Sequence, residues 1–326
     1  MIVKKRNTPR ILRQLRALKS RLYNQHPQFS VIVQNEIRRA NGFKGEASVD
    51  YYLSDLLEND FFIFHDLRLP FNDDFFQIDT LILTHCYMAI IEIKNFAGSL
   101  YFDPVFSQMI RTLNGQEECF FDPIAQVKRQ QMHLDKWMDL HQLPKLPIYY
   151  FIAISNPETL IKTPPGNSTV PGVVFHAHQV PEKIRSIRRA HRKERITADE
   201  RKKISRYLTR YHTPYDIDIL NKFHINEEEL ITGVGCPNCS AIPMKPANRG
   251  TWFCSSCGCT SINAHISATH DYFLLKSKTI TNEQFRIWTH LKSRKTATRL
   301  LKNMRLPIFG AKRGTKYRQP PDFDDA

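Results

Sequence analysis

Two C-x-x-C knuckles, Cys236-Pro237-Asn238-Cys239 and Cys254-Ser255-Ser256-Cys257, stand fourteen residues apart in this chain. Each knuckle sets two thiolates on one tight turn, and two such turns complete a tetrahedral Zn²⁺ shell. The spacing predicts a zinc ribbon over residues 233–266, entered through a linker at Gly233–Gly235. Gly258 suits the second turn, Trp252 and Phe253 are expected beside the metal, and Cys259 is a spare thiol able to compete with Cys257. Four sulfur ligands leave no position for water, so the site reads as structural rather than catalytic. A redox dithiol pair is the alternative, without a thioredoxin-like context to support it.

The rest of the chain sets the compartment in which those thiols would work. Met1–Arg21 is basic throughout and lacks the apolar core of a secretory signal. The longest apolar stretches, such as Ile148–Ile154, are too short to cross a bilayer. A cytoplasmic location with no membrane partner is expected, where thiols stay reduced and cysteines serve as ligands or buried residues. Cys86 and Cys119 are read as buried thiols.

The 326 residues carry a net charge of +15, which restricts partners to polyanions or acidic surfaces. The charge is unevenly spread. Residues 1–40 hold ten Lys/Arg against one acid, residues 41–140 seven against sixteen, and residues 236–326 fifteen against five. An acidic block inside a basic chain suits a metal site flanked by phosphate-binding surfaces. Solvated basic helices around a mildly acidic domain would give the same totals.

Hydrophobic periodicity divides the chain further. Ile11, Leu12, Leu15, Leu18 and Leu22 recur at helical spacing, which predicts basic helices over residues 1–40, broken near His26-Pro27. Gly42 and Gly45 are expected to interrupt the pattern. A new helix from Glu46 would then carry Val49, Tyr52, Leu53, Leu56 and Leu57. Phe61–Leu67, Phe75–Leu83 and Tyr87–Lys94 read as strands, with a short fourth near Leu100–Phe102. A helix over 124–140, a strand Ile148–Ser155 and another at Gly172–Phe175 follow. This order describes an α/β sandwich with a mixed central sheet. Residues 156–232 form an extension with basic helices at 181–212.

Within the strand Tyr87–Lys94, alternation sends Glu92 and Lys94 to one face and Ile91 and Ile93 to the other. A carboxylate and an amine on a buried strand are costly unless something uses them. Asp79 lies in the preceding strand, and a hairpin pairing would bring it to Glu92. Mg²⁺ is held by one or two carboxylates, with water and substrate filling its octahedron. Asp79 and Glu92 would supply those carboxylates, and the Ile93 carbonyl a third oxygen. Lys94 would orient or deprotonate water or stabilise transition-state charge. Glu46 could join as an outer ligand. An exposed Glu92–Lys94 pair beside a turn-capping Asp79 is the structural alternative.

These residues carry a resemblance. Gly45-Glu46, Gln77-Ile78-Asp79, Ile91-Glu92-Ile93-Lys94-Asn95 and Asp122-Pro123-Ile124-Ala125-Gln126 resemble the nuclease-related domain (NERD) family, a branch of the restriction-endonuclease-like PD-(D/E)xK superfamily. The likeness covers residues 41–155. It implies a restriction-endonuclease-like α/β/α core and DNA cleavage dependent on Mg²⁺ or Mn²⁺. Glu46, Asp79, Glu92 and Lys94 would form the active site, with Gln126 as polar accessory and Gln130 one turn further on the same helix face. Asp122 stands where the family commonly has Asn. The cysteine module resembles the ribbons of topoisomerases and other DNA-handling proteins, which implies contact with nucleic acid.

Residues 267–326 read as a basic helical tail. Helices at 282–292 and 294–304 would pack on Leu291, Leu300, Leu301 and Met304. Gly310-Ala311-Lys312-Arg313-Gly314-Thr315-Lys316-Tyr317 would then form the basic wing of a helix-turn-helix, or a solvated tail. His176 and His178 have no partnering cluster. No phosphate-cradling loop or serine elbow appears, so no nucleotide cofactor is expected. The leading expectation is a metal-dependent nuclease acting on DNA, with RNA open as substrate and a homodimer open as assembly. A non-catalytic DNA-binding accessory protein and a zinc-ribbon interaction scaffold are the alternatives.

Overall fold

The computed structural model describes residues 1–56, 60–321 and 323. Leu57 of the expected apolar stripe lies outside them, as does the side chain of Arg313. Two helices, α1 (Arg10–Ser20) and α2 (Phe29–Leu53), follow a short first strand β1 (Ile2–Lys4). The chain separates into two compact units, one of Met1–Arg6 with Asn41–Pro214, the other of Asn7–Ala40 with Tyr215–Ala326.

Helix α2 passes through Gly42 and Gly45, where the sequence suggested a break. The two glycines differ in surroundings. A Cβ on Gly42 would meet nothing within 4 Å, whereas one on Gly45 would come within 2.4 Å of Asn95 Cβ and 2.8 Å of Ser155 Oγ. Gly45 is there so that the helix can lie close to the ends of two strands, a close approach that only glycine permits.

In the first unit, β2 (Phe62–Phe71), β3 (Asp74–Leu83) and β4 (Met88–Lys94) form an antiparallel meander. Strands β5 (Ser99–Asp103), β6 (Gln108–Leu113) and β7 (Gln116–Phe121) come next, then helix α3 (Pro123–Leu140), β8 (Ile148–Ile154), β9 (Leu160–Lys162), a short helix α4 (Thr169–Val173) and β10 (Val174–His176). Helices α5 (Val180–Ala190) and α6 (Ala198–Tyr211) complete the unit.

The central sheet has the order β1-β2-β3-β4-β8-β10 and is mixed. β1–β2, β4–β8 and β8–β10 are parallel, while the remaining pairs are antiparallel. Alternation along β4 sends Met88 and Ile90 into one core with Val127 and Leu134 of α3 and Ile204 and Leu208 of α6. Ala89, Ile91 and Ile93 enter the other core, with Val49 and Leu53 of α2 and Ile184 of α5. Helices therefore cover both faces, and only a near-continuous apolar strand such as β4 satisfies both.

Strands β7-β6-β5-β9 form a separate four-stranded sheet. Two of its strands, QMIRTL and QEECFF, are too polar to announce themselves. Cys119 lies exposed on the edge strand β7, contrary to the expectation of a buried thiol, because an edge strand there has little to pack against. Cys86 is buried.

The second unit adds α7 (Ile219–Lys222), a three-stranded antiparallel ribbon β11 (Lys245–Pro246), β12 (Trp252–Phe253) and β13 (Thr260–Ser261), and helix α8 (Ala264–Leu275). Then come β14 (Thr279–Thr281), α9 (Asn282–Thr289), α10 (Arg294–Asn303), β15 (Ile308–Phe309) and β16 (Lys316–Arg318). One apolar core joins Leu15 and Leu18 of α1, Cys236, Trp252 and Cys254 of the ribbon, and Phe285, Leu301 and Tyr317 beyond it.

The segment Gly233–Gly235 is packed rather than a free linker. Gly233 N–H donates to the Trp288 carbonyl at 2.7 Å and Val234 is fully buried. Its φ of 112° and a Cβ position 2.4 Å from Pro243 require glycine. Trp252 is buried in the core, while Phe253, its neighbour on the strand, alternates outward and is exposed.

Candidate functional site

The site begins with strand register. Thr80 pairs with Ile91 as the last step of the β3–β4 register, and Asp79 and Glu92 are the residues that follow it on the two strands. The alternation of β2 and β3 changes parity here. Inward residues run Phe62, Phe64, then Leu67, Leu69 on one strand, and Ile78, then Leu81, Leu83 on the other. The shift is centred on Asp66, which has a φ of 50°. Asp79 sits at this irregularity, and its Oδ2 accepts the Ile93 amide at 2.8 Å. Irregular pairing beside a functional position re-aims a side chain that regular pleating would bury or expose.

Glu92 is only 3% exposed, on the face of β4 turned toward α3. Asp122 starts that helix as its N-cap, accepting the Ile124 amide at 2.9 Å, so acid serves there as well as amide would. Gln126 and Gln130 lie four residues apart on one helix face. Gln126 Nε2 donates to Glu92 Oε1 at 2.7 Å and Gln130 Nε2 to Oε2 at 2.7 Å. Lys94 Nζ donates to Glu92 Oε1 at 2.8 Å and to Gln126 Oε1 at 3.0 Å. A buried carboxylate with one cation and two amide donors is held at low cost in a single orientation.

Glu46 stands on α2 with its carboxylate taken by a residue the sequence reading passed over. Arg6 Nη1 donates to Glu46 Oε2 at 2.6 Å and Arg6 Nε to Asp50 Oδ2 at 2.9 Å. Its Nη2 donates to the Asp79 carbonyl and to Thr80 Oγ1, both at 3.0 Å. Arg6 thus ties α2 to β3 at the residue that carries the candidate ligand. His65 Nδ1 lies 3.3 Å from Arg6 Nη2. Burial, with the charges of Arg6 and Lys4, pulls this imidazole down to about 3, so it is neutral.

Burial and the charges of Glu92 and Glu46 push the Asp79 carboxyl well above its ordinary range, against the pull of Lys94 and the Ile93 amide. Glu46 and Asp50 are raised chiefly by burial, with Arg6 opposing. Burial pushes Lys94 down, but Glu92 and Asp79 outweigh it and the amine is raised overall. Asp79, Glu92, Glu46 and Asp50 thus share one neighbourhood with two cations, Arg6 and Lys94. Fully ionised, the group is left with two negative charges unbalanced.

Residues 41–155 match the family model of the nuclease-related domain (NERD). No curated protein matches the chain, and no solved structure does. The NERD match takes in β2–β4, α3 and β8, and with them Glu46, Asp79, Glu92, Lys94 and Gln126. It ends before the two C-x-x-C knuckles and leaves out Arg6, which reaches this centre from the N-terminus.

The sulfur atoms of Cys236, Cys239, Cys254 and Cys257 all lie within 4.8 Å of one another. The pairs Cys236–Cys257 and Cys239–Cys254 are each 3.6 Å apart. Tetrahedral Zn–S bonds of about 2.3 Å would put sulfurs about 3.8 Å apart, so the cluster has the dimensions of a zinc shell. The amides of Cys239 and Asn238 pull the Cys236 thiol down, and those of Cys257 and Ser256 do the same for Cys254, which favours the thiolate a metal needs. Cys257 occupies the fourth corner. Cys259 points its thiol at the Thr260 carbonyl, and its own carbonyl accepts the Cys254 amide at 2.9 Å.

No described helix is long and apolar enough to cross a membrane.

Proposed function

We propose that the NERD region is a divalent-metal-dependent nuclease that hydrolyses phosphodiester bonds in DNA, built on a restriction-endonuclease-like core. The observation that carries this reading is the crowding of carboxylates around Asp79, where Glu92 and Glu46 push its carboxyl up against the pull of Lys94. A divalent cation there would relieve that repulsion, and oxygen donors of this kind suit Mg²⁺ or Mn²⁺. Asp79, Glu92 and the Ile93 carbonyl would hold the ion, with Glu46 as an outer residue. When bound, the ion would polarise the phosphoryl oxygen and lower the pKa of a coordinated water.

The chain's own residues supply the rest. Gln126, Gln130 and Lys94 hold Glu92 in one rotamer. Lys94, charged and only partly exposed, sets a donor beside the carboxylates for the attacking water or the transition-state oxygens. Arg6 holds Glu46 and Asp50, and Lys94 holds Glu92, which leaves Asp79 without an ion pair among the described residues. The four-cysteine cluster would bind one structural Zn²⁺, and the basic surfaces would hold the phosphate backbone.

A direct test incubates purified chain with plasmid, linear duplex and single-stranded DNA, with Mg²⁺, with Mn²⁺ or with no added divalent ion. Cleavage that appears only with the ion is expected. An accessory protein without turnover would bind the same DNA and leave it intact under every condition.

A further inference from the structure

Helices α9 and α10 are joined by only four residues, 290–293, and the joint is built to turn. Thr281 and Gln284 form a capping box at the start of α9, His290 ends it in the left-handed conformation at φ 58°, and Ser293 caps α10 through the Thr296 amide. Phe285 and Trp288 of α9 and Ala297, Leu300 and Leu301 of α10 are buried together. Strands β14, β16 and β15 form an antiparallel sheet, and β15–β16 is a hairpin closed by residues 310–315. Gly310 at φ 71° makes that loop possible, since a Cβ there would lie 2.5 Å from the Gly314 carbonyl oxygen. The segment is therefore a helix-turn-helix with an ordered wing rather than a solvated tail.

Its charge is one-sided. Residues 282–318 hold eleven Lys/Arg and a single acid, Glu283. On α10, Lys295 and Lys302 fall opposite the buried stripe of Ala297, Leu300 and Leu301. Both are exposed, as are Arg294 before them and Lys312 and Lys316 on the wing. Among the described residues none of these five has an acidic partner, unlike Lys19, which sits 2.8 Å from Glu36. Two cations on the outer face of α10, one at its first residue and two on the β15–β16 hairpin complement a regular polyanion.

We propose that residues 279–318 form a duplex-DNA-binding site separate from the acidic centre, with α10 entering the major groove and the 310–315 wing lying on the neighbouring backbone. The second helix of such a pair is the one that fits the groove, and an α-helix about 10–12 Å across with its side chains matches a major groove about 12 Å wide. The major groove of A-form RNA is too narrow to admit it, which favours DNA over RNA. Nothing in this assignment requires the acidic centre to turn over.

The test measures binding of the full chain to a short fluorescent duplex, with no divalent ion added, across a salt series. Lys295→Ala/Lys302→Ala and Lys312→Ala/Lys316→Ala are compared with wild type, with zinc content and melting temperature as folding controls. Each double variant is expected to bind at least tenfold more weakly and to lower the log–log salt slope by about two. Binding is read without cleavage, so the result stands whether or not the acidic centre turns over. Unchanged affinity and slope in both double variants would overturn the proposal. So would equal, lysine-dependent binding of an RNA duplex or of single strands.

Discussion

Asp79 illustrates what a candidate catalytic residue costs the fold. Its carboxyl is pushed up by burial and by Glu92 and Glu46, so ionising it without a cation opposes folding. Asp79→Asn keeps the shape and removes the charge. In metal-free protein this variant should melt at a higher temperature than wild type and should not cleave DNA, the trade of stability against activity expected at a site. A lower melting temperature in calorimetry would count against the charge deficit. His65 adds a pH dependence of definite sign. Its folded value of about 3 lies below the ordinary 6.5, so the unfolded chain takes up a proton first as pH falls. The stabilisation is complete above pH 6.5 and is lost on the way down towards 3, at up to about 1.4 kcal/mol per pH unit. His65→Gln should flatten the melting-temperature profile between pH 6.5 and 4, and an unaltered slope would contradict the assignment. Asp79, Glu92 and Lys94 could be read from sequence because charges inside apolar strands are conspicuous. Arg6 could not, since it sits in a run of basic residues and nothing local distinguishes a buried guanidinium from a solvated one.

At the scale of elements, the strands β2–β4 and β8 and helix α3 were legible because their apolar patterns are long and regular. Helix α2 was not, because the glycine signals that usually end a helix serve two different purposes here. Gly42 has open space where its Cβ would be, so Gly42→Ala should stabilise by up to about 1 kcal/mol through helix propensity. Gly45→Ala meets Asn95 and Ser155 at the strand ends and should destabilise by roughly 1–3 kcal/mol. Thermal melts of the two variants should therefore shift in opposite directions, and a common direction would refute the close-approach account. Strands β6 and β7 escaped sequence reading because Met109 is the one buried side chain they contribute, too little to impose a period-two alternation. The parity change at Asp66 and Asp79 is likewise invisible in sequence, yet it sets the aim of the candidate ligand.

For the molecule as a whole, sequence spacing foretold the cysteine cluster but not its integration. Cys236, Cys254 and Trp252 lie in the same core as α1 and α9, so zinc would hold a unit together rather than staple an appended module. Folding free energy tied to a structural zinc site runs to about 10–16 kcal/mol in small peptides. The chain should carry one zinc, and Cys236→Ser should lose it, with faster amide exchange across residues 7–40 and 215–321. Full protection in a zinc-free protein would refute the structural role. The charge pattern has the same global logic, an acidic centre in the first unit and a basic α9–α10 segment in the second. Single-turnover DNA cleavage in Mg²⁺ probes that acidic centre. Glu92→Ala and Lys94→Ala, folded and still binding duplex, should each lose about a hundredfold or more in rate. Cleavage at the wild-type rate in either variant would contradict the account.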